Sequence, residues 1–143
     1  MAPSSFSSNA PRTPTKPLRL LVVDDDLLII NSLRDAMERE GHTVVTCNGG
    51  QAGIDQFRSA VHADQPFDAV ITDLGMPYVD GRAVSAAVKA ISPLIPVILL
   101  TGWGQRLAVE NDVPPHVDRV LNKPPQIDEI LQALATGCSN SGD

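Results

Sequence analysis

The sequence predicts an α/β domain: a parallel sheet of five strands with helices on both faces. Three observations predict it. Short apolar runs alternate with segments of helical periodicity from residue 18 almost to the end of the chain, the pattern of repeated βαβ crossovers. Runs such as Leu20-Leu21-Val22-Val23 and Val97-Ile98-Leu99-Leu100 are apolar at every position, as strands buried on both faces are. Four strand-like runs are also followed by polar groups: Asp24-Asp25-Asp26, Asp73, Thr101 and Lys123-Pro124.

Taken in order, 18–23 is the first strand. Ile30, Leu33 and Met37 then recur at helical spacing, flanked by Ile29 and Ala36, with Asp26 placed to cap the helix and Gly41 to end it. Residues 43–47, short and β-branched, form a second strand. Gly49-Gly50 marks a turn, and Ile54 and Phe57 give a weaker helix ending near Val61. Residues 67–72 form the third strand. Gly81 opens a helix whose Val84, Ala87, Val88 and Ile91 make one apolar stripe, and Pro93 closes it. A fourth strand at 97–100, a brief helix at 105–111 and a fifth strand at 117–121 follow. Ile127, Ile130, Leu131 and Leu134 repeat the stripe in a last helix, with Gly137 as its natural stop.

The 143 residues, 43% of them hydrophobic, suit one domain with a buried core. Residues 1–17 carry four prolines among serines and lack the apolar core of a secretory signal, so they read as a disordered leader or linker. Residues 137–143 read as a short polar tail, with no room for a helix-turn-helix output module. A formal net charge of -6 with no Lys/Arg-rich run disfavours direct nucleic-acid binding or an acidic membrane surface. The longest apolar stretch, 94–100, contains Pro96 and is far too short for membrane insertion. Cys47 and Cys138 form no CxxC and read as free thiols, which fits a reducing cytoplasm. His42, His62 and His116 share no metal-binding spacing and read as surface or boundary residues. The chain has no GxxxxGK loop, and Gly102-Trp103-Gly104 lacks the third glycine of a dinucleotide fingerprint, so any phosphoryl group must come from outside.

In an open parallel sheet, ligands bind at the carboxyl ends of the strands, where these four polar groups converge. Two carboxylates about 4 Å apart repel by roughly 4 kcal/mol at the effective dielectric near a protein surface. A hard divalent cation relieves that repulsion. Mg²⁺ takes one or two carboxylates, keeps waters and fills its remaining positions with phosphoryl oxygens. Thr101 can donate to a phosphoryl oxygen, Lys123 can balance its charge, and Asp73, alone between strand and loop, is the best placed nucleophile.

Together Val22-Val23-Asp24-Asp25, Ile71-Thr72-Asp73-Leu74-Gly75-Met76-Pro77 with Asp80-Gly81, Leu99-Leu100-Thr101-Gly102 and Lys123-Pro124 resemble a receiver domain of two-component response regulators and hybrid histidine kinases, over 18–136. The resemblance implies a flavodoxin-like sheet of order 2-1-3-4-5. It implies phosphorylation of Asp73 by a histidine kinase or phosphotransfer protein, with Mg²⁺ held by Asp25, Asp73 and the backbone carbonyl of Gly75 and Asp24 acting through water. Thr101 and Lys123 would bind the phosphoryl oxygens. Such a chain is a cytoplasmic phosphoacceptor switch that catalyses its own phosphotransfer and dephosphorylation and changes its binding to a downstream protein.

The chain departs from the family in two places. Val120 stands where many receivers carry an aromatic residue that rotates with the Thr, leaving a loop and the helix at 105–111 to transmit the signal. Gly75 and Trp103, at positions that tune phosphoryl loss, offer neither a carboxylate nor an amide. One rival reading exists. Asp24 and Asp26, followed by Thr101 and Lys123, also resemble a haloacid-dehalogenase-type phosphohydrolase, with Asp24 as nucleophile and Asp26 as its acid/base partner.

Overall fold

The computed structural model describes residues 16–102 and 115–141, with side chains up to residue 137. Strands β1 (Arg19–Val23), β2 (Thr43–Cys47), β3 (Ala69–Asp73), β4 (Val97–Thr101) and β5 (Arg119–Asn122) form one sheet in the order β2-β1-β3-β4-β5. All four pairings are parallel. Among the described residues, helices α1 (Leu27–Arg39), α2 (Gly50–His62) and α3 (Gly81–Ile91) make crossovers, and α4 (Ile127–Ser141) follows the last strand.

Alternation along each strand sorts side chains onto two faces. Leu20, Val22, Ile71, Ile98 and Leu100 join Leu33 and Met37 of α1 and Ile130, Leu131 and Leu134 of α4 in one core. Leu21, Val23, Val70 and Val97 join Ile54 and Phe57 of α2 and Val84 and Val88 of α3 in the other. β3 and β4 are buried at every position, whereas the edge strands β2 and β5 are not. Each large apolar side chain buried this way stabilises the fold by roughly 1.5–3 kcal/mol over leaving it exposed.

Helix starts follow the expected chemistry. The Asp26 carboxylate accepts from the Leu28 amide at 3.0 Å, and Asp80 accepts from the Ala83 amide at 3.0 Å. Gly41, at φ +94, turns the chain out of α1 after the Glu40 cap. Gly49 is the N-cap of α2 at φ +124, a conformation other residues rarely adopt, and contributes no side-chain cap. Gly53 lies inside α2, where glycine costs about 1 kcal/mol relative to alanine.

Several expectations need correction. β3 starts two residues later than 67–72 and carries Asp73 itself, because its ladder with β4 runs to Asp73↔Leu100. Phe67 precedes the strand and is buried with its ring stacked on Phe57, centroids 6.1 Å apart. β5 is Arg119–Asn122 rather than 117–121, since the Asp118 carboxylate accepts the Val97 amide at 2.8 Å just before the ladder begins. α4 does not stop at Gly137 but continues to Ser141. Gly137 has a packing role: a Cβ there would come within 3.1 Å of Pro96 Cβ. His62 and His116 are exposed, but His42 is buried, its Nδ1 accepting the Leu18 amide at 3.0 Å. Burial holds its pKa below the usual histidine value. Cys47 is a buried free thiol. The helix expected at 105–111 and Trp103 lie outside the described residues.

Candidate functional site

Strand register assembles the site. Val23 pairs with Thr72, so Asp24 and Asp73 leave neighbouring strands at the same level. Thr101 pairs with Asn122, which puts Lys123 one residue above Thr101, and the Lys123 amide donates to the Thr101 carbonyl at 2.7 Å. The strand order reverses between β1 and β3, the crevice where parallel sheets take ligands.

Asp24 and Asp73 are buried, 0% and 1% exposed, while Asp25 is exposed at the rim. One carboxylate oxygen from each of the three lies within 4.8 Å of the others. Lys123 Nζ sits 2.9 Å from Asp73 Oδ1 and 3.1 Å from Asp24 Oδ2. These contacts are ionic in reach. None of Asp24 Oδ2, Asp73 Oδ1 and Asp73 Oδ2 has an aligned hydrogen-bond donor among the described residues. Asp24 Oδ1 does, accepting the Asp26 amide at 3.0 Å. Thr101 is buried, and its hydroxyl donates to Asn122 Oδ1 at 3.2 Å. Gly75 is exposed in the loop after β3, which closes where the Gly81 amide donates to the Leu74 carbonyl at 2.8 Å. The structure thus brings Asp24, Asp25, Asp73, Thr101 and Lys123 to one edge, with Gly75 two residues past Asp73.

Acids at the opposite edge are engaged differently. Asp68 accepts the Arg19 amide at 2.8 Å, and Asp118 accepts both the Val97 amide and Lys89 Nζ, the latter at 2.9 Å. There carboxylates satisfy amides at strand starts. At the carboxyl edge Asp73 keeps a buried oxygen with no donor among the described residues, and buried polar atoms of a folded chain are as a rule given a partner. An all-oxygen donor set with one orphaned oxygen fits a hard divalent cation.

Charge and burial shift the titrations. Burial raises Asp24 from 3.8 to about 6; the Asp26 amide opposes the rise, the Asp73 charge adds to it and Lys123 draws it back. Burial alone would lower Lys123, but the neighbouring Asp73 and Asp24 carboxylates outweigh it and its pKa is raised. A carboxyl raised on folding contributes stability that is fully present below its unfolded pKa and lost as pH rises through the folded one. In the metal-free protein, the unfolding free energy should therefore fall by about 2 kcal/mol as pH rises from about 4 to just above 6. Urea unfolding in EDTA across that range measures the slope. Asp24→Asn should flatten it, and an unchanged slope would remove Asp24 as its source.

Residues 20–135 match the family described as the response regulator receiver domain. The chain belongs to that family. It is a phosphoacceptor signalling domain of the two-component kind. Among curated relatives, the receiver is 34% identical over 119 residues to the transcriptional regulatory protein GlrR of Escherichia coli, covering 83% of this chain and 26% of that protein. It is 31% identical over 118 residues to the response regulator MprA of Mycolicibacterium vanbaalenii, covering 82% of this chain and 49% of that one. The receiver therefore spans between a quarter and half of the length of these relatives. A receiver domain from Clostridium thermocellum superposes with a TM-score of 0.75 at 26% identity, over 87% of this chain and 97% of that one. The response regulator TrrA of Thermotoga maritima, solved in complex with Mg²⁺ and BeF, superposes with a TM-score of 0.71 at 26% identity, over 84% and 98%. The flavodoxin-like order 2-1-3-4-5 is the one observed.

The phosphohydrolase reading falls. Asp26, its required acid/base partner, spends its carboxylate capping α1, and the family match leaves that reading unsupported. Sequence reasoning missed Asn122, the hydroxyl partner of Thr101. Only the β4–β5 register identifies it, since nothing in the Leu121-Asn122-Lys123 run marks the position. Among the described residues no helix is long and apolar enough to cross a membrane.

Proposed function

We propose that Asp73 of this receiver accepts a phosphoryl group from a histidine kinase or phosphotransfer protein, and that Asp24, Asp25, Asp73 and the Gly75 carbonyl hold the Mg²⁺ the transfer needs. The observation that carries this reading is the Asp73 carboxylate itself. Oδ1 faces the Lys123 ammonium, and Oδ2, buried at the end of a central strand, has no hydrogen-bond donor among the described residues. When bound, the cation neutralises the acids and draws charge from the incoming phosphoryl oxygens.

Every other part of the transfer falls to the chain. An Asp73 oxygen attacks phosphorus, forming a P–O bond as the bond from phosphorus to the donor nitrogen breaks, and the donor imidazole leaves with that electron pair. Lys123 pairs with the Asp73 carboxylate and then balances the added charge. The Thr101 hydroxyl, turned to Asn122 before transfer, can swing to donate to a phosphoryl oxygen. Hydrolysis of the acyl phosphate returns the chain to its starting state without another protein. Phosphorylation then alters binding to a downstream protein, in the cytoplasm and without direct contact to nucleic acid by this domain.

The test is incubation with acetyl phosphate and Mg²⁺, followed by intact-mass measurement and site mapping. One phosphoryl group on Asp73 is expected, with none when EDTA replaces Mg²⁺. A phosphoryl group mapped to Asp24 or to a histidine would overturn the assignment.

A further inference from the structure

The first turn of α2 carries three glycines in five residues, and only Gly49 is explained by its backbone angle. Gly50 and Gly53 are there for space. A Cβ on Gly53 would lie 2.6 Å from Val23 Cγ2 and 3.0 Å from Val23 Cγ1. A Cβ on Gly50 would lie 2.8 Å from Val79 Cγ1 and closer still to the Val79 carbonyl oxygen. Real side chains do not approach so closely, so any residue larger than glycine must push something aside.

What it would push is specific. Val23 is the last residue of β1, immediately before Asp24 and Asp25. Val79 lies in the loop between Asp73 and α3, one residue before the cap Asp80. A third link ties the same turn to the acids, because the Asp24 amide donates at 3.1 Å to the carbonyl of Cys47, three residues before Gly50. The start of α2 therefore abuts both segments that present the carboxylate cluster.

We propose that Gly50 and Gly53 are positioning residues of the site. By admitting the first turn of α2 against Val23 and Val79, they hold the end of β1 and the loop after β3 at the separation at which Asp24, Asp25 and Asp73 share one cation. The proposal rests on the assignment of those acids to Mg²⁺ made above. A methyl group at either position wedges the two segments and spreads the oxygens.

The two positions differ in a way that can be tested. At Gly53 the obstacle is a side chain, so trimming Val23 relieves it. At Gly50 it is a backbone carbonyl, and no substitution at Val79 can. Mg²⁺ affinity by calorimetry, the rate of phosphoryl incorporation from acetyl phosphate and thermal stability are compared for wild type, G50A, G53A, G53A/V23A, G50A/V79A and A60V. Ala60 is buried at the far end of the same helix, so A60V overpacks α2 without touching the acidic edge.

Mg²⁺ binding and incorporation are expected to weaken about tenfold in G50A and G53A, the scale seen when supports of metal ligands are removed. G53A/V23A recovers most of that loss, G50A/V79A none, and A60V loses thermal stability with unchanged Mg²⁺ affinity. The proposal fails if G50A and G53A lower stability alone, or if A60V weakens Mg²⁺ binding as much as they do. If G53A does not fold, G50A against A60V makes the same comparison. Wild type that binds no Mg²⁺ would instead sink the assignment of the acids, a separate failure visible before any variant is made.

Discussion

Replacing Asp73 with asparagine is expected to abolish phosphoryl incorporation while leaving the fold intact. The amide has nearly the shape of the carboxylate, so the packing of β3 between its neighbours survives, but it offers no charged oxygen to attack phosphorus. Mg²⁺ binding should weaken as well, because one of three converging carboxylates is gone. A third consequence follows from the titration of its neighbour. The Asp73 charge is among the causes that raise Asp24, so Asp24 should titrate lower in D73N than its wild-type value of about 6. Intact mass after acetyl phosphate treatment reads the first effect, calorimetry the second and carboxyl ¹³C shifts across pH the third. Incorporation at an unchanged level in D73N would place the acceptor elsewhere.

Lys123→Ala carries the second largest effect, and its sign differs between properties. The ammonium is the counter-charge to two carboxylates that are 0% and 1% exposed. Removing one partner of such a buried set costs about 3–5 kcal/mol, since the remaining charges are left uncompensated. The loss should be greatest above pH 6 and smaller below it, where Asp24 takes up a proton. Mg²⁺ should restore stability, and should bind more tightly than to wild type because the competing cation is gone. Phosphoryl incorporation should nevertheless fall about 10²–10³-fold, the usual effect of removing one preorganised group that stabilises developing charge. Urea unfolding with and without Mg²⁺, together with single-turnover incorporation, separates the two. Tighter Mg²⁺ binding with undiminished incorporation would mean that Lys123 only balances charge and takes no part in transfer.

Much of this was open to reading from residues alone, for a physical reason. Strands buried on both faces need apolar runs, and residues 20–23 of β1 and 97–100 of β4 announce themselves that way. Helices packed on a sheet must repeat at 3.6, and α1, α3 and α4 do. Asp26 was legible at a helix start because capping needs a short acceptor at one position, whereas the Asp80 cap emerged only from the structure. The boundaries were less legible. Whether 67–72 or 69–73 forms β3 depends on which amides find carbonyls on β1 and β4, and no local pattern records that. Gly137 shows the same limit, since a glycine near the end of a periodic run signals a stop just as well as it signals a close neighbour.

The local order of polar residues after apolar runs, the charge balance and the proposal of Asp73 as acceptor therefore come from the chain's own sequence. They depend on backbone direction and side-chain type, which are local properties. The tertiary structure decided which oxygens face which partners. It set Asp73 Oδ1 toward Lys123 and left Oδ2 without a donor among the described residues, turned the Thr101 hydroxyl to Asn122, withdrew Asp26 into a helix cap and brought Gly50 and Gly53 against Val79 and Val23. These are distances between segments far apart in the chain, fixed by strand register and by how closely a helix can approach a sheet, and neither is written in any single stretch of residues.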